Sequence, residues 1–68
     1  MMNLVDIGNQ CRKYRNDLKL TQSDVAKDTG YSVDNISKFE NGKTNNLKIF
    51  MWYLRRGFIY EETLLNNN

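Results

Sequence analysis

Apolar residues at Leu4, Ile7, Cys11 and Leu18, with Tyr14 or Arg15 between them, recur every three or four positions. That spacing marks one face of a helix. It predicts a first helix over about Asp6 to Leu18, capped by Asn3 or Asp6, with Gly8 near its start, where a glycine costs little. Thr21-Gln22-Ser23-Asp24 then sets a hydroxyl cap with an acid three residues on. Val25 and Ala26 turn inward, and Gly30 falls where a left-handed residue would end the helix. The second helix therefore covers only about Gln22 to Thr29. Ser32 caps again almost at once, with Asn35 three residues later; Ile36 and Phe39 form the buried pair of a third helix, which Gly42 ends. A fourth helix starts near Asn46 and stops at Gly57, and its inward stripe is read as Leu47, Phe50, Met51 and Leu54. Tyr60 to Leu65 admit a short fifth helix. No run of alternating β-branched residues suggests a strand. The expected architecture is all-α: one domain over residues 1–68, a compact bundle of four to five short helices.

The second and third helices are joined by Gly30-Tyr31-Ser32. A turn of this length containing glycine is the mark of a helix-turn-helix, here about Thr21 to Asn41. Composition then removes alternatives. A 68-residue chain buries only about 60% of the surface its unfolded form exposes, so its core is thin. Cys11 is the only cysteine and there is no histidine, so neither an internal disulfide nor a zinc site is expected. No metal, cofactor or small-molecule ligand is called for. No apolar run reaches the length of a membrane span, and no signal peptide is read at the N-terminus. The lone thiol suits a reducing cytoplasm. With no histidine, glycine-rich phosphate loop or nucleophile–base pair, the inventory points away from an enzyme. The net charge of +2 says little about nucleic acid, so the placement of charges has to carry that question.

Ile7-Gly8 with Arg15 downstream, Leu20-Thr21-Gln22, Val25-Ala26, Gly30, Ile36-Ser37 and Phe39-Glu40-Asn41-Gly42-Lys43 together resemble the lambda-repressor-like, Cro/C1-type (Xre) helix-turn-helix domains of phage and bacterial regulators. The similarity runs over roughly Asp6 to Gly57. The chain departs from the pattern in lacking a proline after Asn-Gly-Lys, in a loop about one residue shorter, and in Thr29 where an apolar residue is usual.

The resemblance implies double-stranded DNA as partner, with the third helix in the major groove. By helical geometry Val33, Asp34, Ser37, Lys38 and Asn41 face away from Ile36 and Phe39. The family pattern places Val33, Asp34 and Lys38 at base-reading positions, with Ser37 beside them. Val33 suits a thymine methyl, Lys38 the O6 and N7 of guanine, and Asp34 the N4 amine of cytosine. Asp34 equally suits the helix dipole, as an acid in a first turn, and Asn35, at the helix start, suits either adenine or the cap with Ser32. Phosphate contacts fall to Gln22, at the N-terminus of the second helix, and to Asn41, Lys43 and Thr44, where short polar groups position rather than specify. The resemblance also implies a partly buried structural ion pair between Arg15 and Glu40.

The apolar residues of the last third exceed what a core of this size hides. A dimerisation surface is expected within about residues 52–65, making a homodimer, at least on DNA. The function that the resemblance implies is a Cro-like repressor that occupies an operator. The alternative is a protein-interaction module on the same fold: an antirepressor, an inhibitor or an antitoxin-like partner.

Overall fold

The computed structural model describes residues 3–62, and these form four helices: α1 (Leu4–Asp17), α2 (Gln22–Thr29), α3 (Val33–Glu40) and α4 (Leu47–Arg55). Each helix opens on a side-chain cap, which supplies an acceptor to amides the helix itself leaves unpaired. Asn3, and not Asp6, caps α1, its Oδ1 accepting from the Asp6 amide at 2.8 Å. The helix thus starts at Leu4, the first residue of its apolar face and two residues before the expected Asp6. Thr21 and Asp24 close a reciprocal capping box on α2, at 3.1 and 2.8 Å. Ser32 accepts from the Asn35 amide at α3, and Asn46 from the Ile49 amide at α4. Gly30, at φ +81°, ends α2 and returns its amide to the Ala26 carbonyl at 2.9 Å. That conformation is open to glycine at little cost and strained for most other residues.

α1 and α2 pack on α3, and α4 closes over α2. The core is Ile7, Cys11, Val25, Ala26, Ile36, Phe39, Ile49, Trp52, Tyr53 and Phe58. Phe39 stacks on Tyr53 with centroids 6.0 Å apart, and Phe58 meets Tyr14, Phe50 and Tyr53 edge-on. Beyond α4 the chain turns at Gly57 and runs back along α1 without helix as far as residue 62. Gln10 binds the Glu61 main chain on both sides, donating to its carbonyl at 2.7 Å and accepting its amide at 2.9 Å. Tyr60 donates to Asp6 at 2.8 Å, and Tyr14 to the Arg56 carbonyl. Residues 60–62 are therefore not the start of a fifth helix, and residues 63–65 of that expectation lie outside the described residues.

Two expectations are corrected here. Gly8 is not an inexpensive glycine in a first turn. A Cβ there would lie 2.6 Å from the Phe39 carbonyl oxygen and still closer to that of Glu40, so only glycine lets α1 cross the end of α3 at this distance. The inward face of α4 is also inverted. Ile49, Trp52 and Tyr53 are buried, whereas Leu47, Met51 and Leu54 are 65%, 39% and 45% exposed and Phe50 is half-buried. Polar anchors explain the choice. Tyr53 Oη donates to the buried Glu40 at 2.7 Å, and Trp52 Nε1 donates to Asp28 at 3.2 Å. Arg56 pairs with Asp28 at 2.7 Å and lies 4.1 Å from the centroid of the Trp52 ring. The other face of α4 has no polar tip to offer the core.

Candidate nucleic-acid interface

Glu40 is the hub beneath the helix-turn-helix. It ends α3, is 1% exposed, and accepts two hydrogen bonds on each carboxylate oxygen. Oε2 receives Arg15 Nε at 2.7 Å and Tyr53 Oη at 2.7 Å; Oε1 receives Arg15 Nη2 at 3.0 Å and Gln22 Nε2 at 3.1 Å. Arg15 spends its remaining nitrogen on the Leu20 carbonyl at 2.9 Å and Asn16 at 3.3 Å. The bidentate Arg15–Glu40 pair thus ties α1 to α3 and satisfies both buried charges. Burial opposes the Glu40 carboxylate, but the hydrogen bonds from Arg15, Gln22 and Tyr53 outweigh it and hold its pKa below the ordinary value. The Tyr53 hydroxyl is pushed well above its ordinary range by burial first and by Glu40 second. Cys11, fully buried, packs as a small apolar residue, and burial lifts its thiol to about 12.

Above this hub sits Gln22, the first residue of α2, half-buried and held by its bond to Glu40. Its amide nitrogen has a second hydrogen beyond that bond, and it stands where the first amides of α2 lack helical acceptors. On α3, Ile36 and Phe39 face the core, and Val33, Asp34 and Lys38 face solvent. Lys38 Nζ lies 3.2 Å from Asp34 Oδ2, an exposed pair one helical turn apart. Ser37 is half-buried; Asn41, exposed, donates its side-chain amide to the Ser37 carbonyl at 2.9 Å and hydroxyl at 3.3 Å. Lys43 is exposed and Thr44 half-buried in the loop that follows. Asn35 is half-buried and bonded to the Ser32 hydroxyl through both its amide and its Oδ1, which makes it part of the cap.

One edge of the fold therefore gathers Val33, Asp34 and Lys38 on the open side of α3, and a buried carboxylate fixes that helix from behind and holds Gln22 beside it. Sequence reasoning missed two things: that Gln22 hangs from Glu40, and that Tyr53 completes the hub. The first had a weak signal, a glutamine at a helix start near an expected buried ion pair. The second had none, because nothing local joins Tyr53 to a residue in another helix.

Two short capped helices about a glycine turn, the second exposing a polar face, define a helix-turn-helix protein. The helix-turn-helix family model matches residues 12–49, more than half of the chain, and the protein belongs to this family of Cro/C1-type domains. The family is one of DNA-binding transcription regulators, acting on double-stranded DNA and not typically enzymatic. No curated protein and no solved structure matches the chain. Among the described residues, no helix is long and apolar enough to cross a membrane.

Proposed function

We propose that the protein is a Cro-like repressor, working in the cytoplasm, that occupies an operator with α3 in the major groove. The observation that carries this reading is the Glu40 hub. It anchors the inner side of α3 and presents Gln22 at the N-terminus of α2 from one buried carboxylate. Helix and phosphate clamp then share one rigid support, as readout within about 0.5 Å of a productive geometry requires. Val33 meets a thymine methyl, Lys38 donates to a guanine edge, and Ser37 lies between them. Gln22, Asn41, Lys43 and Thr44 hold phosphates and set the register. Asp34 aims Lys38 through their ion pair and accepts from cytosine N4 when the lysine swings to its base. Two copies on one operator put their α3 helices about 34 Å apart, one turn of DNA. Repression follows from occupancy of the promoter.

Selection of bound sites from random DNA, repeated with Lys38→Ala, tests the assignment. Preference relaxing at one position per half-site supports base reading; a uniform loss of affinity moves Lys38 to the phosphates. A second reading, a protein-binding module, is favoured by the Asp34–Lys38 pair, which neutralises much of the open face of α3. Salt separates the two. Six to ten phosphate contacts lose roughly three to five decades of affinity between about 50 and 200 mM salt, whereas no binding at low salt supports the module.

A further inference from the structure

Among the described residues the backbone enters the left-handed region at four places, and three of them are glycines: Gly30, Gly42 and Gly57. The fourth is Lys19, at φ +61°. How α1 ends sets this conformation. The Leu20 amide donates back to the Arg15 carbonyl at 3.1 Å, and the Lys19 amide to the Asn16 carbonyl at 2.9 Å. This pair of bonds closes a helix through a left-handed residue, where glycine is the usual choice because a Cβ is crowded. Two further contacts hold the turn in this shape: Arg15 Nη1 donates to the Leu20 carbonyl at 2.9 Å, and Leu20 packs against the core. A lysine here therefore lowers stability relative to glycine, and its own contacts do not offset the loss. It is exposed, and its ammonium has no ion-pair partner among the described residues.

The same turn decides where that cation stands. Lys19 lies three residues before Gln22, in the link between α1 and α2. Arg15 fixes both ends of this stretch. It grips the peptide after Lys19 through the Leu20 carbonyl, and it pairs with Glu40, which holds the Gln22 side chain. The acids nearest in sequence are engaged elsewhere: Asp17 lines a groove with Lys13, Phe58, Ile59 and Glu61, and Asp24 accepts from the Thr21 amide in the cap of α2. We infer that Lys19 is a DNA-backbone contact, its ammonium pairing with the phosphate next to the one assigned to Gln22. The inference rests on the operator-binding reading and adds to it a residue outside the helix-turn-helix. One strand carries a phosphate per about 3.4 Å of helix axis, so two side chains three residues apart on one support reach neighbouring phosphates. Lysine is a point charge on a flexible stem, so Lys19 strengthens binding without reading sequence. Stability is given up at this turn for charge at the interface.

Two measurements on the same variants test it: thermal melts, and fluorescence anisotropy with a labelled random-sequence duplex, whose binding rests on phosphate contacts. Lys19→Gly should move the two in opposite directions. It should melt about 4 °C higher, the size of shift that relief of a left-handed side chain gives a domain this small. It should also bind the duplex about five- to tenfold more weakly at about 100 mM salt. The slope of log affinity against log salt should fall by about 0.9, the value of one phosphate contact. Lys19→Arg should keep the wild-type slope. Lys13→Ala, which removes a lysine from the side of α1 shared with Asp17 and Glu61, should keep it too. A Lys19→Gly chain that binds like the wild type overturns the inference and makes Lys19 a tolerated surface lysine. A Lys19→Gly chain that melts lower, or a Lys13→Ala chain whose slope falls as much, overturns it as well. All three outcomes leave the operator-binding reading standing, whereas a wild-type chain that binds no duplex at low salt overturns both.

Discussion

α3 and α4 are helices of eight and nine residues, both built around an apolar face, and they differ in what they turn outward. α3 has two large core residues, Ile36 and Phe39, and everything opposite them is small, polar or charged apart from Val33. Only one orientation buries it. α4 carries two apolar stripes, Ile49–Trp52–Tyr53 and Leu47–Met51–Leu54, and its two cations sit between them, so periodicity leaves a tie. The tie is broken from outside the helix, by Glu40 accepting from Tyr53 and Asp28 accepting from Trp52 and Arg56. A helix with one apolar face announces its orientation; a helix apolar on both sides takes its orientation from the polar partners that neighbouring helices provide.

The strongest way to break this comparison is at the hub that orients both helices. Arg15→Met or Glu40→Leu alone should cost about 3–5 kcal/mol, because each strands a buried charge, and the double variant should cost less than the sum. Urea unfolding of the three variants measures it, and simple additivity would remove the pair from the account. The double variant still leaves the Tyr53 hydroxyl without its acceptor, so adding Tyr53→Phe should recover part of the loss.

Next come the two stripes of α4. Ile49→Ala should destabilise by about 2–5 kcal/mol, as a core truncation does. Leu47→Ala on the opposite face should stay within about 0.5 kcal/mol. Equal effects in thermal melts would mean that α4 has no preferred face.

Smaller effects follow from pH. The Glu40 pKa is lowered in the fold, so its contribution is present above the ordinary glutamate range and is lost as pH falls through the lower folded value. Glu40→Gln should therefore flatten the acid limb of a plot of Tm against pH. Cys11 behaves in the opposite sense. Its thiol is raised from 9.0 to about 12, so its contribution is complete below 9.0 and is lost as pH rises toward 12. Native Cys11 should react with a thiol reagent at pH 8 only at the rate of unfolding; prompt labelling would contradict its burial. The smallest effect is expected at Lys38, where alanine removes one exposed ion pair and should shift stability by less than about 0.5 kcal/mol. A larger shift would mean that the open side of α3 carries structure as well as recognition.

The helix-turn-helix was legible because its signals are local. Thr21 with Asp24, Gly30, and Ser32 with Asn35 each act within four residues, and the helices they delimit fall where expected. The Arg15–Glu40 pair came from the family pattern and stands at 2.7 Å. Within the stretch 52–65 expected to hold a dimer surface, Trp52, Tyr53 and Phe58 are in the core, Leu54 and Ile59 are exposed, and Leu64 and Leu65 lie outside the described residues.

The sequence by itself determined where α2 and α3 begin and end, because caps and left-handed glycines satisfy or interrupt the backbone with nearby atoms. It also determined the open side of α3, because only one side of that helix is apolar enough to bury. Tertiary structure alone decided which stripe of α4 faces inward, why Gly8 must be a glycine, and that Gln22 hangs from a buried carboxylate. Each of those depends on which backbone or carboxylate approaches from a distant part of the chain, and a spacing pattern within one helix holds no record of that approach.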